Sequence, residues 1–167
     1  MKITTISMML GAAILAASCT TTKNYTIMGK SGTSTQGTAN FVQKGKMVEM
    51  DLNVYKLTPG THAVHIHENG DCSATDASSA GGHWNPTSDM HGKWAQGAHH
   101  QGDIGNLNAD KNGTARLLFS TDQWCLGCAD ATKNIMGKSI VIHADADDFK
   151  SQPSGNAGGR VGCVEIK

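Results

Sequence analysis

The segment "HAVHIHENGDC", His62 to Cys72, places His65 and His67 two residues apart with a cysteine close behind. In an extended chain successive side chains leave opposite faces, so His65 and His67 share one face and Ile66 takes the other. Two imidazoles so placed can chelate one metal ion, although an isolated pair of this kind is just as often a surface accident or a core pair. Here the pair has company. "GGHWNPTSDMHGKWAQGAHHQGDIGN" adds His83, His91, His99, His100 and Asp103, and "VIHADADD" adds His143 beside Asp145, Asp147 and Asp148. Imidazole suits zinc and copper, and a carboxylate can complete a zinc site. A solvated polar loop has no reason to concentrate histidine in this way, so the residues point to a transition-metal centre.

Such a centre needs rigid elements to hold it. "KMVEMDLNVYKL" alternates, with Val48, Met50, Leu52 and Val54 on one face of a strand. "TPG" at Thr58 to Gly60 breaks the run, and "THAVHIH" starts another. "NADKNGTARLLFS" contains a turn at "KNG" followed by a strand, and "KSIVIH" is a further strand preceded by Gly137. Between these lie two long glycine-rich loops, from Glu68 to about Gly105 and from Ala144 to Gly159. Loops of this length are usually functional or disordered. The first carries four of the eight histidines, which favours function. The pattern predicts an all-β sandwich or barrel with two large loops.

The length of 167 residues fits one domain, and 14 basic against 14 acidic residues give a formal net charge of zero. That lacks the basic excess of a nucleic-acid binder. The opening "MKITTISMMLGAAILAASC" has a lysine, an apolar run and then small residues, the order of a secretory signal over residues 1–18. It is too short and too interrupted to read as a spanning helix. "LAASC" resembles a bacterial lipoprotein signal, in which Cys19 becomes the acylated mature N-terminus, although Ala16 stands where that family usually has leucine. By the same analogy Thr20 favours the outer membrane. Residues 19–36, the acylated Cys19 and a polar stretch, then read as a flexible tether, and residues 37–167 as the folded domain. Apart from Cys19, four cysteines remain, Cys72, Cys125, Cys128 and Cys163. They allow three pairings, and an exported chain meets conditions that permit them.

Taken in order, "HAVHIHENGDC", "GGHWNP", "HHQGDIGN", "VIHADADD" and "GNAGGRVGC" resemble the copper-zinc superoxide dismutase family, bacterial type, from about Tyr25 to Cys163. The resemblance implies a Greek-key β-sandwich or flattened barrel. It also implies conversion of two superoxide anions and two protons to dioxygen and hydrogen peroxide. His65, His67, His83 and His143 then match copper ligands, and His83, His91, His100 and Asp103 match zinc ligands, with His83 bridging both metals. Asp147 matches a carboxylate linking a copper histidine, by analogy His65, to a zinc histidine, His91. Arg160 matches the arginine that attracts and orients the anion, and Ser154 a small residue at the channel rim. Cys72 and Cys163 match an intrasubunit disulfide. His62 reads as packing against the base of the loop, and His99 as solvent-facing beside the ligand His100. The expected partner is the small anion superoxide, with no nucleic acid. The expected place is the bacterial envelope, in the periplasm and lipid-anchored to the outer membrane. Monomer and homodimer both stay open.

Two features depart from the common pattern. "WCLGC" at Trp124 to Cys128 is extra. C-x-x-C can be a local disulfide, a redox motif or half of a soft-metal site, and without a thioredoxin-like context or a second C-x-x-C the local disulfide is preferred. The second loop is short, and Lys150 is the one cation it offers before Arg160, so anion guidance should be weaker. Three rivals remain: a copper-buffering or copper-delivering lipoprotein, a copper-only dismutase, and a sandwich with vestigial sites. Arg160 and Asp147 argue against the first, the His91, His100 and Asp103 set against the second, and the complete ligand set against the third.

Overall fold

A computed structural model of the chain describes residues 20–167. The expected signal segment and Cys19 lie outside the described residues.

The alternation at Val48, Met50, Leu52 and Val54 produces β3 (Met47–Tyr55), with all four side chains almost fully buried. β2 (Gln36–Lys44) pairs with it along its whole length and adds Ala39 and Phe41 to the same interior. The remaining strands are β1 (Thr20–Gly29), β4 (Gly60–His67), β5 (Gly105–Ala109), β6 (Ala115–Thr121), β7 (Ser139–His143) and β8 (Arg160–Glu165). All pairings are antiparallel, in the order β5-β4-β7-β8-β1-β2-β3-β6. The end strands β5 and β6 are joined by the tight Asp110–Thr114 turn and lie in contact, so the sheet curls into a nearly closed barrel. The chain leaves β3 beside β6 and re-enters as β4 between β5 and β7, a Greek-key crossing that matches the expected fold class.

The expected tether over residues 19–36 needs correction. Thr20–Gly29 form a full strand, β1, which fills the barrel wall between β8 and β2. Its few large apolar residues suggested a linker. Its four threonines favour extended backbone, its alternation turns Tyr25 and Ile27 inward, and β2 supplies a continuous ladder from Thr20 to Met28. Tyr25 meets Phe41 edge to face at 6.2 Å. The two long loops fall where expected, between β4 and β5 and between β7 and β8.

β4 and β7 are buried on both faces. Val64, Ile66, Ile140 and Ile142 point into the barrel, whereas His65, His67, Val141 and His143 point outward beneath the loops. The disulfide Cys72–Cys163 spans 91 residues and ties the first loop to β8, with a Cα–Cα distance of 5.9 Å. A crosslink closing so long a loop contributes about 2 to 4 kcal/mol. A second disulfide joins Cys125 and Cys128 in the β6–β7 connection.

Candidate metal centre

β4 outlasts its partner β5, so its backbone groups at Ile66 need other partners. The first loop supplies them. The Trp84 N–H donates to the Ile66 carbonyl at 2.8 Å, and the Ile66 N–H donates to the Gly102 carbonyl at 2.8 Å. Gly102 allows this approach because a Cβ there would lie 2.2 Å from the Ile66 oxygen. Trp84 inserts into the core, which aims its neighbour His83 along the outer face of β4. The same docking brings the turn from His100 to Asp103 alongside.

The result is two groups of side chains sharing His83. His65, His67, His83 and His143 offer ring nitrogens within 4.8 Å of one another, and so do the donor atoms of His83, His91, His100 and Asp103. In the first group every ring is oriented through its other nitrogen, except the shared one. His65 Nε2 donates to Asp147 Oδ2 at 2.9 Å, leaving Nδ1 buried and without a hydrogen-bond partner. His67 Nδ1 donates to the Gly81 carbonyl at 2.9 Å, and its Nε2 faces His143 Nε2 at 3.4 Å. His143 Nδ1 sits 3.4 Å from the Gly158 carbonyl. His83 Nε2 is buried and unpartnered on this side.

On the other side His83 Nδ1 is 2.8 Å from Asp103 Oδ1, and His100 Nδ1 is 3.3 Å from the same oxygen. His91 Nδ1 is 3.0 Å from Asp103 Oδ2 without hydrogen-bond geometry. The carboxylate of Asp103 is held by the backbone N–H groups of His100 at 2.8 Å and Gly92 at 3.1 Å. Asp147 joins the halves, since its second oxygen accepts from His91 Nε2 at 2.9 Å. Gly155 makes room for this link: it has a φ of +67°, and a Cβ would lie 1.8 Å from Asp147 Oδ1. The buried nitrogens without a hydrogen-bond partner, His65 Nδ1 and His83 Nε2 in one group and His91 Nδ1 in the other, fit a bound cation on each side of His83.

The electrostatics fit as well. Burial pushes His67 down to about 2, His83 to about 4 and His143 to about 3. It also lowers His65 against the pull of Asp147. These rings are neutral at neutral pH, the form that ligates metal. His91 behaves oppositely: burial pulls it down, but the carboxylates of Asp103 and Asp147 outweigh that and raise it to about 9. Burial pushes both of those carboxyls up, but their histidine partners win and hold them well below the usual range.

A cavity of about 400 Å³ opens over the first group, lined among others by His67, His83, His143, Ser154 and Arg160. Arg160 is half-buried, with Nη1 donating to the Ala77 carbonyl at 2.6 Å and Nη2 to the Gly81 carbonyl at 2.7 Å. Lys150 lines a different depression, with Met90 and His91.

His62 and His99 lie outside both groups. His62 is buried, its ring nitrogens 2.7 Å from the His143 carbonyl and 2.8 Å from the Thr58 carbonyl. His99 is half-buried rather than solvent-facing, because its ring packs on Trp94 at 4.8 Å. Several supports had no signal in the sequence. Gln152 clasps the His91 backbone through both ends of its amide, and Asn106 does the same for Asp147. Gly81 accepts from His67 and Arg160 together. Most of these depend on a loop folding back across dozens of residues, which spacing does not reveal.

The fold and site together define a class: an antiparallel Greek-key barrel with a four-histidine centre and a three-histidine, one-aspartate centre joined by one imidazole on its outer face. Comparison with known proteins narrows this. The family model for copper/zinc superoxide dismutase (SODC) matches residues 35–166. The extracellular superoxide dismutase [Cu-Zn] of Haemonchus contortus is 38% identical over 146 residues, covering 84% of this chain and 78% of the relative. The superoxide dismutase [Cu-Zn] of Caulobacter vibrioides is 40% identical over 124 residues, covering 72% and 71%. A crystal structure of a double mutant of a SOD-like protein from Bacillus subtilis superposes with a TM-score of 0.75 at 30% identity, covering 86% of this chain and 95% of that one. The chain belongs to the copper/zinc superoxide dismutase family. Its activity class is that of an oxidoreductase dismutating superoxide, and its cofactors are copper and zinc.

Proposed function

We propose that His65, His67, His83 and His143 hold the copper, that His83, His91, His100 and Asp103 hold the zinc, and that His83 bridges them. The observation that carries this assignment is the shared His83, whose Nδ1 faces the Asp103 group while its Nε2 is buried, unpartnered and turned to the other histidines. Bound copper supplies one-electron redox chemistry, while zinc is redox-inert and fixes charge and geometry. The remaining work falls to the chain. Arg160 draws superoxide into the cavity and orients it, because a half-buried guanidinium tied to two loop carbonyls is a fixed positive charge. His83 holds a proton at Nε2 between the two half-reactions and passes it to the departing peroxide. Asp147 keeps His65 and His91 in the tautomers that present Nδ1. Two superoxide anions and two protons yield one dioxygen and one hydrogen peroxide.

The test is superoxide consumption by protein lacking residues 1–19, reconstituted with copper and zinc, beside His143→Ala. Copper-dependent activity that falls at least about a hundredfold in the variant is expected, since losing even a partner behind a ligand commonly costs about 10- to 100-fold. Fully metallated protein that leaves superoxide untouched would sink the assignment and favour copper buffering.

We further propose that the protein works in the bacterial envelope, on the periplasmic side, tethered by acyl chains on Cys19. The order of charged, apolar and small residues before Cys19 supports this, as does the likeness to extracellular and bacterial relatives. Labelling cells with a fatty-acid analogue should mark the parent chain and not Cys19→Ala. Equal labelling of both would remove the anchor from the account.

A further inference from the structure

The C-x-x-C segment is left without a task by the dismutase reading. Its disulfide lies in the β6–β7 connection, directly after Trp124. Trp124 is almost fully buried, and its indole N–H donates to the Gln101 carbonyl at 3.0 Å. Gln101 comes directly after His100 and precedes Asp103 by two residues. Its own amide donates to Gln123 Oε1 at 3.2 Å, so two adjacent residues of the connection grip one residue of the ligand turn. Trp94, from the stretch between His91 and His100, packs edge-on against Trp124 at 5.8 Å.

A buried indole N–H needs an acceptor, and here the acceptor is the backbone of the turn that carries His100 and Asp103. Trp124 is itself held in place by its C-terminal neighbours. The Cys125 N–H donates to the Lys133 carbonyl at 2.8 Å, the Cys125 carbonyl accepts from Ile135 at 3.1 Å, and the disulfide closes the next turn. Partners behind a metal ligand commonly set how tightly the metal is held. Resting on the assignment of His91, His100 and Asp103 to zinc, we propose that Trp124, braced by the Cys125–Cys128 disulfide, is a positioning residue that pins the His100–Asp103 turn through Gln101. His65, His67 and His143 stand on β4 and β7, and β4 meets the clamped turn through the Ile66–Gly102 hydrogen bond and not through Trp124 or Gln123, so the effect falls mainly on zinc.

The experiment uses protein lacking residues 1–19 with both disulfides formed. One sample is loaded with zinc alone, and release to a chromogenic chelator is timed. A second is loaded with both metals and titrated with a copper-selective competitor. Trp124→Phe keeps the aromatic packing and removes the N–H, Cys125→Ser with Cys128→Ser removes the brace, and Gln123→Ala removes the second grip. Zinc release is expected to quicken about tenfold in the first two and by less in the third, while copper competition moves by less than about twofold. Unchanged release from folded Trp124→Phe overturns the proposal, as does equal loosening of both metals, which marks general slackening of the barrel. If Trp124→Phe does not fold, unchanged release from Gln123→Ala overturns it. Parent protein that takes up no zinc overturns the zinc assignment itself. Zinc-loaded parent with unresponsive variants overturns the clamp alone.

Discussion

At the scale of single residues, the two metal sets differ in how they meet protons. In the metal-free chain His67, His83 and His143 have already lost theirs at neutral pH, whereas His91 keeps its proton up to about pH 9. Zinc must displace that proton wherever the pH lies below 9, and above it there is none to displace. Zinc affinity should therefore climb about tenfold per pH unit between roughly 7 and 9 and then level off, while copper affinity of the zinc-free chain stays nearly flat over that range, because it needs only the free nitrogen of a neutral His83. Calorimetry in buffers of different ionisation enthalpy would register one proton released per zinc at pH 7. No release would contradict the role given to His91. The ligands themselves were legible because histidine and aspartate are rare in such density and their spacing is local. The supports behind them, Gln152 and Asn106 above all, are ordinary amides whose task appears only when distant segments meet.

At the scale of elements, β3 and β6 were legible because buried positions alternate with more exposed ones, and β4, buried on both faces, because "TPG" marks where it begins. β1 was not, because its stability comes from neighbours rather than from its own apolar content. The residues after β1 also do more than connect. Lys30 is buried, and its ammonium donates to the Cys72 carbonyl and, at 3.1 Å, to the Ala74 carbonyl. That places a cation under the loop whose Ala77 and Gly81 carbonyls hold Arg160. Lys30→Met keeps the stem and removes both hydrogen bonds. It should lower the unfolding free energy of the metal-free protein by about 1 to 3 kcal/mol in a denaturant titration. An unchanged midpoint would mean that this loop holds itself.

At the scale of the whole molecule, the charge balance is zero, and Arg160 is the only lysine or arginine among the residues lining the cavity. Long-range guidance of an anion normally comes from a field built by several charges. Here the cavity lining supplies one, so kcat/KM should fall about tenfold in Arg160→Gln, and its dependence on ionic strength should be shallow in the parent and nearly absent in the variant. A steep salt dependence surviving the substitution would place the guiding charges elsewhere on the surface. The nearly closed barrel contributes something the charges cannot: β7 is paired on both edges, and β4, past the end of β5, is held by β7 on one edge and by the first loop at Ile66 on the other, so His65, His67 and His143 stand on backbone with little freedom to drift.

β1 begins at Thr20, the residue next to Cys19. If Cys19 is acylated as proposed, the strand that starts at the very next residue leaves little chain to act as a linker, and the enzyme would ride on the bilayer like a stud rather than float on a leash. The hairpin tip around Lys44 and Lys46, which pairs with the start of β1, would be pressed toward the headgroups. The membrane would then wall off part of the solution from which superoxide arrives, and the sheltered zone would be a thin layer one protein diameter deep along the lipid surface.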